Sequence, residues 1–370
     1  MIVGVSVSTS VSTQGPLARL IQPLVDSSVF DFWAGHINPA WSWSRALARV
    51  VERRIEAHDA VTLVLKPNRH VGGFVAGQHV NVGVEVNGRR VTRSYSLSNA
   101  PRRDGRLEIT IKHVPGGVVS THLCQHLKVG DVLEIGPAFG ELTLPAKPEG
   151  AWLFLAAGSG ITPLMSLIRQ LANQNMPVNL TLAYWARTRA DVCFARELQE
   201  LAQRYPRFKL HLILTREPHR LADELSGRIS SELLTQMVDN LGEQQIYACG
   251  PGGFVESART VTGAAQLFKA EAFTPATPID LHQGNETVQL KLNRSGKTLT
   301  VPAGLSLLSA LEAQGVHPRH GCRMGICHTC VCTKLEGTVE DTYTGDRDAE
   351  PDTTVRICVS RPCTDISLDL

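Results

Sequence analysis

Three cysteines lie close enough along the chain to hold one metal centre: Cys322, Cys327 and Cys330 in GCRMGICHTC, a C-x4-C-x2-C run. Thiolates are soft ligands, and the x4-then-x2 spacing is that of plant-type [2Fe–2S] sites, where a fourth thiolate comes from elsewhere. A structural zinc site also takes four thiolates but draws them as two short Cys pairs, which this loop does not offer. Gly321 and Gly325 let the loop bend and let backbone N–H groups turn toward sulfur. Six of the nine cysteines follow residue 320. Among them, Cys358 and Cys363 both stand where a fourth ligand could come from.

A second group of residues suits an aromatic redox ring and its phosphates. In Arg93-Ser94-Tyr95-Ser96, alternation puts Arg93 and Tyr95 on one strand face. The guanidinium can pair with a phosphate while the phenol ring covers an isoalloxazine, and Ser96 can reach the flavin N5 edge. Further on, Pro115-Gly116-Gly117-Val118-Val119-Ser120 leads into a helical period. Free N–H groups and the positive dipole end there suit a pyrophosphate. Gly158-Ser159-Gly160-Ile161-Thr162-Pro163 closes an apolar run and opens a helix, where α/β sheets bind dinucleotide phosphates. Pro163 stands where a G-x-G-x-x-G motif has its third glycine, and proline is tolerated in a first helical turn. Cys249-Gly250-Pro251 ends a strand at the same carboxyl edge of the sheet. A lone buried cysteine is most often packing, so the weight lies in the order of these motifs along the chain.

The elements that must position these residues are legible in the hydrophobic period. From about Arg49 to Leu144, AVTLVLKP, HVNVGVEV, VTRSYSLS, RLEITIKHV and DVLEIGPA alternate between Gly- and Pro-containing turns, which predicts a closed antiparallel barrel of six or so strands. AWLFLAAG begins a βαβ alternation through NLTLAYWA, KLHLILT and the last expected strand, QQIYACG. That predicts a doubly wound α/β domain. After a proline-rich linker, TVQLKLNRSGKTLTVPAG reads as a hairpin turned at Arg294-Ser295-Gly296, and the helix SLLSALEAQG leads to the cysteines. The divisions expected are a helical extension at 1–46, with Phe30, Phe32, Trp33, Trp41 and Trp43, then a flavin barrel at 47–147. A nucleotide domain at 148–274, a linker at 275–286 and an iron–sulfur domain at 287–370 follow.

Length and composition agree with a multidomain globular chain: 370 residues, 43% hydrophobic and 19% charged. A formal net charge of +2 gives no reason to expect a nucleic-acid partner. No run reaches the roughly 18–20 apolar residues of a membrane span, and the N-terminus lacks the pattern of a signal peptide. A cytoplasmic setting is therefore expected, peripheral to a membrane at most through a partner.

Taken in order, RSYS, GGVVS, GSGITP, CGP and CRMGICHTC resemble the ferredoxin–NADP reductase superfamily, in its members with a C-terminal [2Fe–2S] domain. The resemblance implies a β-grasp ferredoxin fold after residue 287. It implies FAD held by Arg93, Ser94, Tyr95 and Ser96, with Gly116, Gly117 and Ser120 at its pyrophosphate. It places Gly158, Gly160, Thr162, Pro163, Gly250 and Pro251 on the nicotinamide dinucleotide. Cys249 falls beside the nicotinamide, and Glu271 and Phe273 in KAEAF match the E-x-F segment brought near the flavin. ICVSRPCTDISLDL resembles the ferredoxin ending, which makes Cys358 the fourth ligand. Thr215-Arg216-Glu217 resembles the position that NADPH-using members apply to the 2′-phosphate, and Arg228 in SGRIS could add a second charge, so NADPH is expected ahead of NADH. The implied activity is hydride transfer from NAD(P)H to flavin, then single-electron delivery through the cluster to a partner protein. The N-terminal aromatics and His328 in CHTC look most like the acyl-lipid desaturase reductases, implying a membrane-bound di-iron desaturase as acceptor, docked through charges such as Arg319 and Arg323. The alternatives are the reductase of a steroid or ring-hydroxylating oxygenase and, in another class, a cluster-based redox sensor.

Overall fold

A computed structural model describes residues 27–86, 88–263, 265–273, 287–342 and 345–370. The expected linker and the first 26 residues lie outside the described residues. The helical part of the N-terminal extension is α1 (Ser27–Ile37), while NPAWSWSRALARV runs without helix into a strand. Pro39 and the aromatics after it disfavour helix there, and the alternating LARVVERRIEA that follows is strand in period.

Six antiparallel strands follow: β1 (Leu47–Ala57), β2 (Ala60–Pro67), β3 (His79–Val86), β4 (Arg89–Ser96), β5 (Leu107–Lys112) and β6 (Val132–Phe139). Their order is β4-β3-β6-β1-β2-β5. A bridge between Leu97 and Ile109 joins the two ends and closes the barrel. Leu63, Leu65, Val82, Ile109 and Leu133 fill its interior. Between β5 and β6, GGVVS enters α2 (Val118–Thr121), continued by a π-helical turn at His122–His126.

The next sheet is parallel: β7 (Ala151–Ala157), β8 (Asn179–Ala186), β9 (Phe208–Leu214), β10 (Glu224–Leu225), β11 (Gln244–Gly250) and β12 (Leu267–Ala272), in the order β10-β9-β8-β7-β11-β12. β11 is therefore not the last strand. β12, whose LFKAEA carries Glu271, adds beyond it; its charged residues mask the apolar run that marks the others. Alternate residues of β7 enter opposite layers: Trp152 and Phe154 pack beside Tyr247, and Leu153 and Leu155 pack beside Ile246 and Ala248. That two-sided burial is why AWLFLAA is apolar throughout. The chain leaves β7 for β8 on one side and returns to β11 on the other. The crevice between β7 and β11 is thus the topological switch point.

Barrel and nucleotide domain share a polar seam. From α3 (Ile161–Asn173), Ser166 donates to Asn99 O at 2.6 Å, and Arg169 reaches Glu108 at 3.2 Å and Glu197 at 2.6 Å. The Phe194 N–H donates to Glu56 at 3.1 Å.

The strands of the last unit are β13 (Thr287–Leu292), β14 (Lys297–Pro302), β15 (Val331–Glu336), β16 (Val339–Asp341), β17 (Arg347–Asp348), β18 (Thr353–Arg356), β19 (Ser360–Pro362) and β20 (Ile366–Leu368). They form a five-stranded sheet, β14-β13-β20-β15-β18, and a three-stranded one, β17-β16-β19. The hairpin turns at Gly296 as expected, and β13 pairs in parallel with β20 beneath a helix, Leu307–Ala313. This is the β-grasp arrangement. No helix of the described residues is long and apolar enough to cross a membrane.

Candidate functional site

The cysteine loop is held open by its backbone. Arg323, Gly325 and His328 all have positive φ (60°, 75° and 53°), costly for the two non-glycine residues. The turns aim amides inward. Sγ of Cys322 accepts from the Met324 and Cys327 N–H groups, each at 3.3 Å, and Sγ of Cys327 accepts from Cys322 N–H at 3.2 Å. Cys358 arrives just after β18, where its Sγ accepts from Gly325 N–H at 3.3 Å and stands 3.1 Å from Cys330 Sγ. Hydrogen bonds from the neighbouring Cys327 and Cys358 thiols push the Cys322 thiol below its ordinary range, which favours the thiolate that a metal ligand needs. Four converging sulfurs ringed by amide donors fit a [2Fe–2S] cluster, which needs soft ligands and N–H groups toward sulfur. Cys363 is turned away toward Glu340, and burial within β15 pushes the Cys332 thiol up to about 12.

A cavity of about 830 Å³ lies between barrel, nucleotide domain and this loop. Arg93, Ser94, Tyr95 and Ser96 line it, with Gly117 and Ser120 at one side and Ser159 and Thr162 at another. Cys322 and Met324 border the same space. Among the described residues Arg93 has no carboxylate partner, and its side chain donates to the neighbouring Thr92 carbonyl at 2.8 Å. Burial and the nearby Arg323 charge lower its pKa, the signature of a cation awaiting an anion. Burial pushes the Tyr95 phenol well up, so the ring stays neutral. The Ser94 hydroxyl donates to Asn81 Oδ1 at 2.6 Å, and Asn81 Nδ2 donates to Thr329 in the cysteine loop at 3.2 Å. Ser94 thus ties barrel to cluster loop as well as lining the cavity. Arg323, expected as a docking charge, is committed to Glu312 at 2.5 Å and faces the cavity.

Past Gly117 a second cavity, of about 730 Å³, continues between Gly116 and the imidazoles of His113, His122 and His126. A flavin phosphate at α2 therefore has room beyond it for an adenosine, which suits FAD. A Cβ on Gly117 would lie 2.6 Å from Ser120 Oγ and 3.0 Å from the Val114 carbonyl oxygen, so a side chain there would force the turn into α2 to adjust.

The floor of the first cavity holds a residue that the sequence did not disclose. His79, buried in β3 beside Ser96 of β4, places Nε2 3.1 Å from Glu271 Oε2. Phe139 stacks on the imidazole at 5.8 Å and Phe273 meets it edge-on at 6.1 Å. Neither ring nitrogen, nor Glu271 Oε2, has a hydrogen bond of full geometry among the described residues. Buried polar atoms of this kind call for a further partner. Glu271 is also in register with Cys249 on the adjacent strand. Cys249 is fully buried, and burial with the Glu271 charge raises its thiol well above the ordinary range. Ser96, Cys249, Glu271 and Phe273 are thus brought together, with His79 among them.

At the switch point, Gly160 touches the end of β11: a Cβ there would lie 2.0 Å from the Cys249 carbonyl oxygen. Gly158 takes φ +55°, and Gly250 packs against Ala157. Pro251 caps the helix Gly252–Val261. Thr162 reaches the cavity while Pro163 is buried in the first turn of α3. Arg216 and Arg228 are exposed. Arg187, unmarked in the sequence, stands beside Arg216 at the ends of β8 and β9, its carbonyl accepting the Arg216 N–H at 2.7 Å. Arg189, nearby, is instead locked to Glu224 at 2.7 Å.

The chain belongs to the ferredoxin reductase-type flavoproteins that carry a C-terminal [2Fe–2S] domain. Family models for an oxidoreductase FAD-binding domain (residues 47–143), an oxidoreductase NAD-binding domain (154–260) and a 2Fe-2S iron-sulfur cluster binding domain (290–363) match it in that order. It is 35% identical over 360 residues to an NADPH oxidoreductase of Mycobacterium tuberculosis, covering 95% of this chain and 90% of that one. It is 29% identical to the glycine betaine monooxygenase reductase subunit of Chromohalobacter salexigens, covering 89% and 96%. Among solved structures, phthalate dioxygenase reductase superposes with a TM-score of 0.60 at 26% identity, covering 88% of this chain and 97% of that one. The protein is an NAD(P)H-dependent oxidoreductase that uses FAD and a [2Fe–2S] cluster.

Proposed function

We propose that the chain is the NADPH-oxidising component of an iron-oxygenase system, passing single electrons from its cluster to a separate oxygenase. The observation that carries the reading is the continuous cavity that meets Ser96 and Thr162 at one side and Cys322 and Met324 at the other. FAD held there would supply the conversion of a two-electron hydride into single electrons. The chain's own residues do the positioning. Arg93 holds a phosphate, Tyr95 covers the ring, and Ser120 with Gly117 opens α2 to the pyrophosphate. Thr162 and Gly160 set the dinucleotide at the switch point. Arg216, with Arg187 and Arg228, meets the 2′-phosphate. His79 and Glu271 lie where a proton at the reacting edge can be held, and Phe273 excludes water from it. Cys322, Cys327, Cys330 and Cys358 would hold the cluster, and the Asn81–Thr329 contact ties their loop to the barrel.

The glycine betaine monooxygenase reductase subunit and phthalate dioxygenase reductase each carry an oxygenase in their names, so an oxygenase stands first. A membrane-bound desaturase is the second reading, favoured by the exposed aromatic face of α1. The test is reconstitution with NADPH and each acceptor. Turnover should need Cys327, whereas NADPH-driven flavin reduction should survive Cys327→Ser. NADPH-driven flavin reduction without electron delivery to any protein acceptor would sink the reading in favour of a sensor.

A further inference from the structure

In α1 the apolar face is the one turned outward. The opposite face, with Phe30, Asp31 and Ala34, is the one that packs. Ala34 is buried, Asp31 accepts from the Ser42 hydroxyl at 2.9 Å and from Trp43 N–H at 2.6 Å, and Phe30 meets Trp43 edge-on at 5.3 Å. The large apolar residues face away: Phe32, Trp33 and Ile37 are 60%, 66% and 76% exposed, with Val29 beside them. Positions 29, 32, 33, 36 and 37 form one stripe at helical spacing. Phe32 meets Trp33 edge-on at 5.3 Å, and the His36 ring lies tilted against both, at 4.7 and 6.2 Å. An exposed cluster of this size marks an interaction surface.

Just past the helix, the half-exposed Trp41 shares a cavity of about 450 Å³ with Arg49, Lys66 and Arg69. Among the described residues none of these three cations has a carboxylate within ion-pair distance. Asp31, the one acidic residue of α1, is bound inward. We propose that α1 and this cationic cavity dock together on an anionic lipid surface, independently of which protein accepts the electrons. Tryptophan and phenylalanine side chains sink into the headgroup boundary, and lysine and arginine beside them meet lipid phosphates. A second copy of this chain is the poorer occupant, because a two-fold interface would set the cations against themselves.

Flotation of the full-length holoprotein with vesicles of phosphatidylcholine and phosphatidylglycerol tests this. The protein should float with them, float less with phosphatidylcholine alone, and be released by salt. Phe32→Ser with Trp33→Ser should cut partitioning at least tenfold, and Ile37→Asp should act in the same direction. Lys66→Glu with Arg69→Glu should remove the preference for anionic lipid. NADPH-driven ferricyanide reduction should be unchanged in all of them. A wild type that stays in solution, or a double serine variant that floats like wild type, overturns the proposal. So does a wild-type dimer that Trp33→Ser turns into monomers, or flotation only when a membrane acceptor protein is present.

Discussion

Arg187 and Arg216 are neighbours on adjacent strand ends, and among the described residues neither meets a carboxylate, although Arg189 two residues on from Arg187 is paired with Glu224. Free guanidinium groups at the end of a nucleotide crevice suit a dianion, and only NADPH carries the 2′-phosphate. Replacing Arg216 by Ala should weaken NADPH by about 1.5–3 kcal/mol, the range of hydrogen bonds to charged groups, and leave NADH almost unchanged. Steady-state KM values for both coenzymes decide it, and equal losses would remove the preference. Arg187→Ala should act in the same direction. Residue-level reading from sequence reached Arg216 and Arg228 but passed over Arg187 and His79. Both sit in runs whose pattern already had an explanation: a strand end for one, an alternating strand for the other. Function enters there through the third dimension, in the register of His79 with Ser96 and its approach to Glu271.

At the scale of elements, period and punctuation carried most of the fold. The apolar runs became β2, β3, β8 and β11 at their expected ends because each is buried on one face or both. β12 was missed because KAEA has the composition of an exposed segment. Helix was also expected through residue 46, where the structure turns to strand. The junction between β7 and α3 makes the sharpest element-level prediction. An alanine at Gly160 must push the Cys249 carbonyl aside, since backbone cannot yield 2.0 Å of overlap cheaply. Gly160→Ala should cost about 1–3 kcal/mol, as overpacking does, and slow flavin reduction by NADPH. Gly253→Ala meets nothing within 4 Å and should leave both intact. Thermal unfolding and stopped-flow reduction separate the two, and an unaffected Gly160→Ala protein would show that the strand end does not set the nicotinamide site.

At the scale of the molecule, three domains converge on one cavity, and the side-chain chain Ser94–Asn81–Thr329 spans the gap between barrel and cluster loop. Nothing in NVGVEV marks Asn81, because its partner lies 248 residues away in sequence. Asn81→Ala should leave NADPH-driven flavin reduction and iron content unchanged while slowing the passage of electrons onward. The measurement is the lag between flavin and cluster absorbance in single-turnover experiments. An unchanged lag would show that the loop is positioned without this link.

The seam between barrel and nucleotide domain also says where the chain can be cut and rejoined. A crossover near residue 148 would strand Arg169 from Glu108, Ser166 from Asn99 and Phe194 from Glu56. Each half would then carry buried polar groups shaped for a partner it no longer has. A crossover between 274 and 286 leaves all of those pairs intact and asks the new ferredoxin unit mainly for a hydroxyl where Thr329 stands. In chimeras, the reductase pair is therefore the natural cassette, and the iron–sulfur unit is the exchangeable head.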